Sequence, residues 1–125
     1  MRLLAIALFC LPVSATADEI VGRWKMVSPD ATEHLVIQFE PCGAEFCAKI
    51  IEASGPEIEG DPADYIGRTF VSNLRNNGGS SYGDGKLDFP GASFRLIVGA
   101  ELSNENLQFE ACRFLQCETI HWRRN

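Results

Sequence analysis

The sequence is poor in the groups that carry most catalytic chemistry. It has two histidines, His34 and His121, and neither is spaced to meet the other and a third metal ligand. There is no Gly-x-Ser-x-Gly turn, and Asn77-Gly-Gly-Ser-Ser lacks the lysine and following helix of a phosphate-cradling loop. Basic residues are also short, 11 Lys and Arg against 17 Asp and Glu for a net charge of −6, which disfavours nucleic acid and anionic lipid headgroups as partners. No stretch keeps a helical period, no segment repeats, and no tract is of low complexity. The apolar run from Leu3 to Val13 is too short to span a bilayer, which takes about 20 residues. These absences argue against an enzyme, a metal site, a cofactor and a membrane span.

What is present begins with an export signal. Met1-Arg2, the apolar run and the small-x-small triplet Ala15-Thr16-Ala17 predict a signal peptide over residues 1–17, with Cys10 a thiol inside the discarded segment. Its removal takes away Arg2 and no acid, leaving residues 18–125 as a single domain of net charge −7. Four cysteines remain, Cys42, Cys47, Cys112 and Cys117. An even count in an exported chain points to disulfides, in a periplasmic or secreted protein.

The domain reads as strands. Ile20 to Val27, Leu35 to Phe39, Phe46 to Ile51, Arg68 to Leu74, Tyr82 to Phe89, Phe94 to Leu102, Leu107 to Ala111 and the stretch ending Ile120-His-Trp122 read as short strands, most of them alternating apolar and polar residues. Turn-forming residues separate them at intervals of about ten, among them Asn76-Asn-Gly-Gly-Ser-Ser81, which is expected to form one tight turn. The long connection is Ala53 to Gly67, with a helical turn expected after Pro62, and Gly83 and Gly85 predict a bulge or bend. Eight short strands without helices imply an all-β fold, a small antiparallel up-and-down barrel.

Parity places the cysteines. With Leu35, Ile37 and Phe39 inward, Cys42 faces out, and with Phe46, Ala48 and Ile50 inward, Cys47 faces out; Leu107, Phe109 and Ala111 do the same for Cys112, and Ile120 and Trp122 for Cys117. Of three connectivities, the favoured one joins Cys42 to Cys47 and Cys112 to Cys117, each pair directly opposite across a four-residue turn. The two turns fall at opposite ends of an eight-strand meander, which argues against cross-pairing.

The ends of the chain carry a resemblance. Gly22-x-Trp24 on the first strand and Arg123-Arg124 on the last are similar to the lipocalin-like (calycin) pattern, which implies a barrel closed at one end by an arginine packed on the tryptophan. Arg124 is in phase with Ile120 and Trp122, so Trp24 and Arg124 are the expected closure pair. Over most of the domain the chain also resembles a bacterial envelope family called domain of unknown function 2147. The stretches that carry this are Gly22-Arg-Trp24, Cys42-Gly-Ala-Glu-Phe-Cys47-Ala-Lys-Ile50, Ile66-Gly67, Gly85-Lys-Leu-Asp-Phe-Pro90-Gly91 to Phe94, and Cys112 to Trp122-Arg123. That resemblance implies a fold and a compartment, the periplasm or exterior of a cell with a Gram-negative type of envelope, and brings no activity with it.

Two functional expectations follow. Phe39, Phe94, Phe109 and Trp122 line the interior of a barrel that is wide enough either to be filled by its own side chains or to hold one small apolar or amphipathic ligand. Alternatively, the chain is an envelope structural or protein-interaction module with a filled core, whose partner surface is Asp61, Asp64, Tyr65 and Tyr82. The acids Glu57, Glu59, Asp61 and Asp64 lack the spacing of a calcium loop and read as a solvated acidic connection.

Overall fold

The computed structural model describes residues 19–28, 33–56, 60–89 and 95–125. The expected signal peptide, Glu57, Glu59 and Phe94 lie outside these residues. Eight antiparallel strands run in sequence order around a closed barrel: β1 (Gly22–Met26), β2 (His34–Cys42), β3 (Glu45–Ser54), β4 (Thr69–Gly78), β5 (Ser81–Leu87), β6 (Leu96–Ser103), β7 (Asn106–Arg113) and β8 (Gln116–Arg124). Pairing of Trp24 with Arg124 and of Met26 with Trp122 joins β1 to β8 and leaves the sheet without an edge. The expected turn after Pro62 is a 3-10 helix, Pro62–Tyr65, started by Asp61, whose carboxylate accepts from the Ala63 amide at 3.0 Å.

Alternation explains which residues fill the interior. Leu35, Ile37 and Phe39, then Ala48 and Ile50, then Val98 and Ala100, then Leu107, Phe109 and Ala111 are all buried, each separated by a more exposed neighbour except at irregularities. One irregularity lies between Val36 and Ile37, where the register shifts and both residues are buried. A second is centred on Asn73, with φ of +57°, so that Val71 and Leu74 both reach the core three positions apart. Gly85 packs inward where any side chain would meet Leu74 at 2.8 Å and Val98 at 2.9 Å, which explains a glycine inside a strand. No polar or charged residue is buried among the described residues.

Two local expectations need correction. The Asn76 to Ser81 stretch is not one turn: β4 and β5 extend through it to a two-residue turn at Gly79-Ser80, with a register shift between Asn76 and Gly78. The cysteine hairpins also turn in two residues, Gly43-Ala44 and Phe114-Leu115, not four. Cys112 stands directly opposite Cys117, with Cα atoms 4.0 Å apart. Cys42 stands opposite Glu45, and Cys47 opposite Glu40, so the Cys42–Cys47 disulfide runs diagonally across one face over 5.8 Å. Gly43, at φ of +66°, lets the chain reverse immediately after Cys42 and so sets that register.

Candidate functional site

Up-and-down topology sorts the connections between two ends. One end carries the start of β1, the turns after β2, β4 and β6, and the last residues of β8. The other carries the longer connections after β1, β3 and β5, together with the Phe114-Leu115 turn.

The first end is closed by Trp24 and its partners. The Trp24 indole is fully buried and donates to the Ile20 carbonyl at 2.8 Å. Arg124 lies over the ring with its guanidinium carbon 4.0 Å from the centroid, and it donates to the carbonyls of Val21 at 3.1 Å and Glu19 at 2.6 Å. One arginine therefore ties the final strand to the segment entering the first, combining a cation–π contact with two charge-assisted hydrogen bonds. Gly22 makes room for it: a Cβ there would stand 3.2 Å from the Arg124 Nη1, and its φ of +128° lies outside the range of other residues. The carbonyl acceptors at Glu19, Ile20 and Val21 escaped sequence reading because main-chain acceptors leave no residue signature. Near this end Glu45 on β3 bridges to β4, accepting from Arg75 Nε at 2.9 Å and from Asn73 at 3.1 Å. Those donors hold the Glu45 carboxyl below its ordinary range, the Arg75 hydrogen bond foremost, and the same pair raises Arg75.

The opposite end is apolar. Val27, Ile66, Ile97, Phe114 and Leu115 are the exposed large hydrophobic residues among those described, and all five lie at the loop end or on the strand ends beside it. Phe114 and Leu115 are 92% and 99% exposed at the tip of a hairpin clamped by the Cys112–Cys117 bond. Phe114 has a φ of +56°, uncommon for a bulky residue.

Between the ends runs a row of aromatic rings. Phe89, in the connection after β5, contacts Phe70 at 5.9 Å; Phe70 contacts Trp122 at 5.7 Å, Trp122 contacts Phe109 at 5.1 Å, and Phe109 contacts Phe39 at 6.1 Å. Phe39, Phe109 and Trp122, three of the residues expected to line the interior, are thus in one group, while Phe94 lies outside the described residues. Phe70 joins that group because the pairing with β3 steps from Thr69 to Val71 over it, a register shift between Ala48 and Lys49 that buries Phe70 and Val71 together.

The expected partner surface is not one surface. Asp61 and Asp64 are exposed and Tyr65 is half-buried under the Arg68 guanidinium at the loop end. Tyr82 sits on β5 near the opposite end, 4% exposed, with its ring edge against Phe46 at 5.9 Å. Its inward position in β5 sends it into the core.

Among the described residues, clefts on the outer wall include two of similar size. One, of about 340 Å³, runs over β6, β7 and β8 and is bordered by Glu101, Gln108, His121 and Arg123. The other, of about 290 Å³, is bordered by Lys25, Met26, Glu33, His34 and Arg123. Glu40 with Cys42 and Cys47, and Glu110 with Cys112 and Cys117, each gather three ligand-type atoms within 4.8 Å. Both sulfur pairs are disulfides and offer no thiolate to a metal.

No family model matches the chain, and no curated protein sequence matches it. Among solved structures the barrel is similar to protein HP1028 from Helicobacter pylori, which is described as belonging to the lipocalin family. The TM-score is 0.67, with 18% sequence identity over 85% of this chain and 82% of that one. At that identity the likeness shows the fold: a lipocalin-like, eight-stranded up-and-down barrel stapled by two disulfides.

Proposed function

We propose that this protein is an exported, non-enzymatic barrel that binds one small apolar or amphipathic molecule, admitted at the loop end. The observation that carries the reading is the polarity of the barrel. One end is sealed by Trp24, Arg124 and Ile20, and the other gathers every exposed large apolar side chain among the described residues. An aromatic row leads inward from Phe89 at the apolar end to Phe109 and Phe39. Such an arrangement offers an apolar ligand an entrance, a path and a floor. The lipocalin-like fold is compatible with this use. Two disulfides favour an oxidising compartment outside the cytoplasm, and no helix among the described residues is long and apolar enough to cross a membrane. In this reading residues 1–17 are the signal and residues 18–125 the working domain.

A second reading has its own observation. The Phe114-Leu115 tip, nearly fully exposed on a rigid hairpin, fits a protein-interaction module with a filled core. Native mass spectrometry of the mature chain, purified from the periplasm without refolding, separates the two. Ligand binding predicts a reproducible adduct of a few hundred daltons that is lost on denaturation. An adduct-free monomer whose interior also takes up no added apolar probe refutes it in favour of the module.

A further inference from the structure

The barrel buries two indoles, and they differ in one respect. Trp24 and Trp122 are 0% and 1% exposed. Trp24 donates to the Ile20 carbonyl, whereas Trp122 Nε1 is a buried donor with no partner among the described residues. The surroundings of Trp122 explain why the chain leaves it so: its ring contacts are Phe70 and Phe109, and no buried polar or charged residue is present among the described residues to accept from it. The cross-strand neighbours of Trp122, Met26 and Leu107, add no side-chain oxygen. A buried N–H without an acceptor is a standing penalty, and folded proteins rarely keep one without water, ion or ligand to satisfy it.

We infer that Trp122 Nε1 is the polar anchor of the barrel's ligand, and that the ligand is an apolar molecule carrying a hydrogen-bond acceptor such as a ketone, ester or ether oxygen. This rests on the ligand-binding reading above and narrows the class of molecule. A pure hydrocarbon leaves the indole unpaired, whereas an acceptor-bearing molecule of similar shape satisfies it. A charged carboxylate is disfavoured, because the surrounding phenylalanine rings offer no charge to balance it. The row Phe89, Phe70, Trp122 gives the apolar part of the molecule aromatic contacts between the loop end and the anchor.

The test uses the mature chain labelled with nitrogen-15, with 2-nonanone and nonane as probes of similar length that differ in one carbonyl. Only Trp24 and Trp122 give indole N–H signals. The expected result is that 2-nonanone moves the Trp122 signal downfield, leaves that of Trp24 in place, and binds about tenfold more tightly than nonane, a difference equivalent to about 1.4 kcal/mol. Trp122→Phe should retain binding and abolish the preference. Equal binding of the two probes to the wild-type chain overturns the anchor and leaves the apolar site standing, whereas binding of neither overturns both. Persistence of a water contact at the Trp122 N–H in the presence of bound 2-nonanone overturns the anchor as well. The wild-type signals decide the matter even if Trp122→Phe does not fold.

Discussion

Replacing Arg124 by methionine keeps an unbranched stem and removes the guanidinium that ties the two ends of the chain together. The main losses are the contact with the Trp24 ring at 4.0 Å and the bonds to the carbonyls of Val21 and Glu19. The side chain is 27% exposed, which places the cation–π term near the middle of its range, about 1 kcal/mol. A charge-assisted bond contributes about 1.5 kcal/mol at the lower end of its range, and water replaces much of the one to exposed Glu19. The expected loss is therefore about 2.5–3 kcal/mol, with the ion pair to Glu105 at 4.0 Å adding little because Glu105 is largely exposed. In a domain near 100 residues this lowers Tm by roughly 10–20 °C. Arg123→Met is the control, since Arg123 is adjacent and exposed on the outer wall; it should change stability by no more than about 0.5 kcal/mol. Both variants are measured by urea unfolding and thermal circular dichroism at the same pH. A loss below about 1 kcal/mol for Arg124→Met, or equal losses for the two variants, refutes the closure argument.

The remaining predictions concern the staples and the charge bridge. Removing the Cys112–Cys117 bond with paired serines should cost about 2 kcal/mol by the chain-entropy model, and intact-mass alkylation of the mature wild-type chain should add four labels after reduction and none before. A label on the unreduced chain contradicts the pairing. Glu45 has its folded pKa depressed by Arg75 and Asn73, so its contribution is fully present above the ordinary carboxylate pKa and fades as pH falls through the lowered value. The wild type should accordingly exceed Glu45→Gln in urea midpoint at pH 7, and the two curves should converge in acid. Curves that stay parallel down to about pH 2 exclude the linkage.

The closing pair was legible from the sequence because Gly22-x-Trp24 and the phase of Arg124 with Ile120 and Trp122 are local patterns at the two ends. Parity likewise put Leu35, Ile37, Phe39, Phe109 and Trp122 on the inner face and all four cysteines on the outer, since side chains alternate along a strand regardless of its partner. The candidate site was harder to read. Phe70 and Tyr82 reach the core beside register shifts against the neighbouring strands, which the alternation of their own strands does not show.

Local patterns along the chain set the strand faces, the eight-strand count and the pairing of near cysteines, because period-two alternation and turn chemistry act within about ten residues. Packing across the barrel set the diagonal register of Cys42 and Cys47 and which residues of β1 and β8 face each other. It also decided that Val27, Ile66, Ile97, Phe114 and Leu115 share one end, and that one buried indole finds a carbonyl while the other does not. Each of these depends on which residues meet across the barrel, and a hydrogen-bond partner far along the chain leaves no trace in the local pattern of either residue.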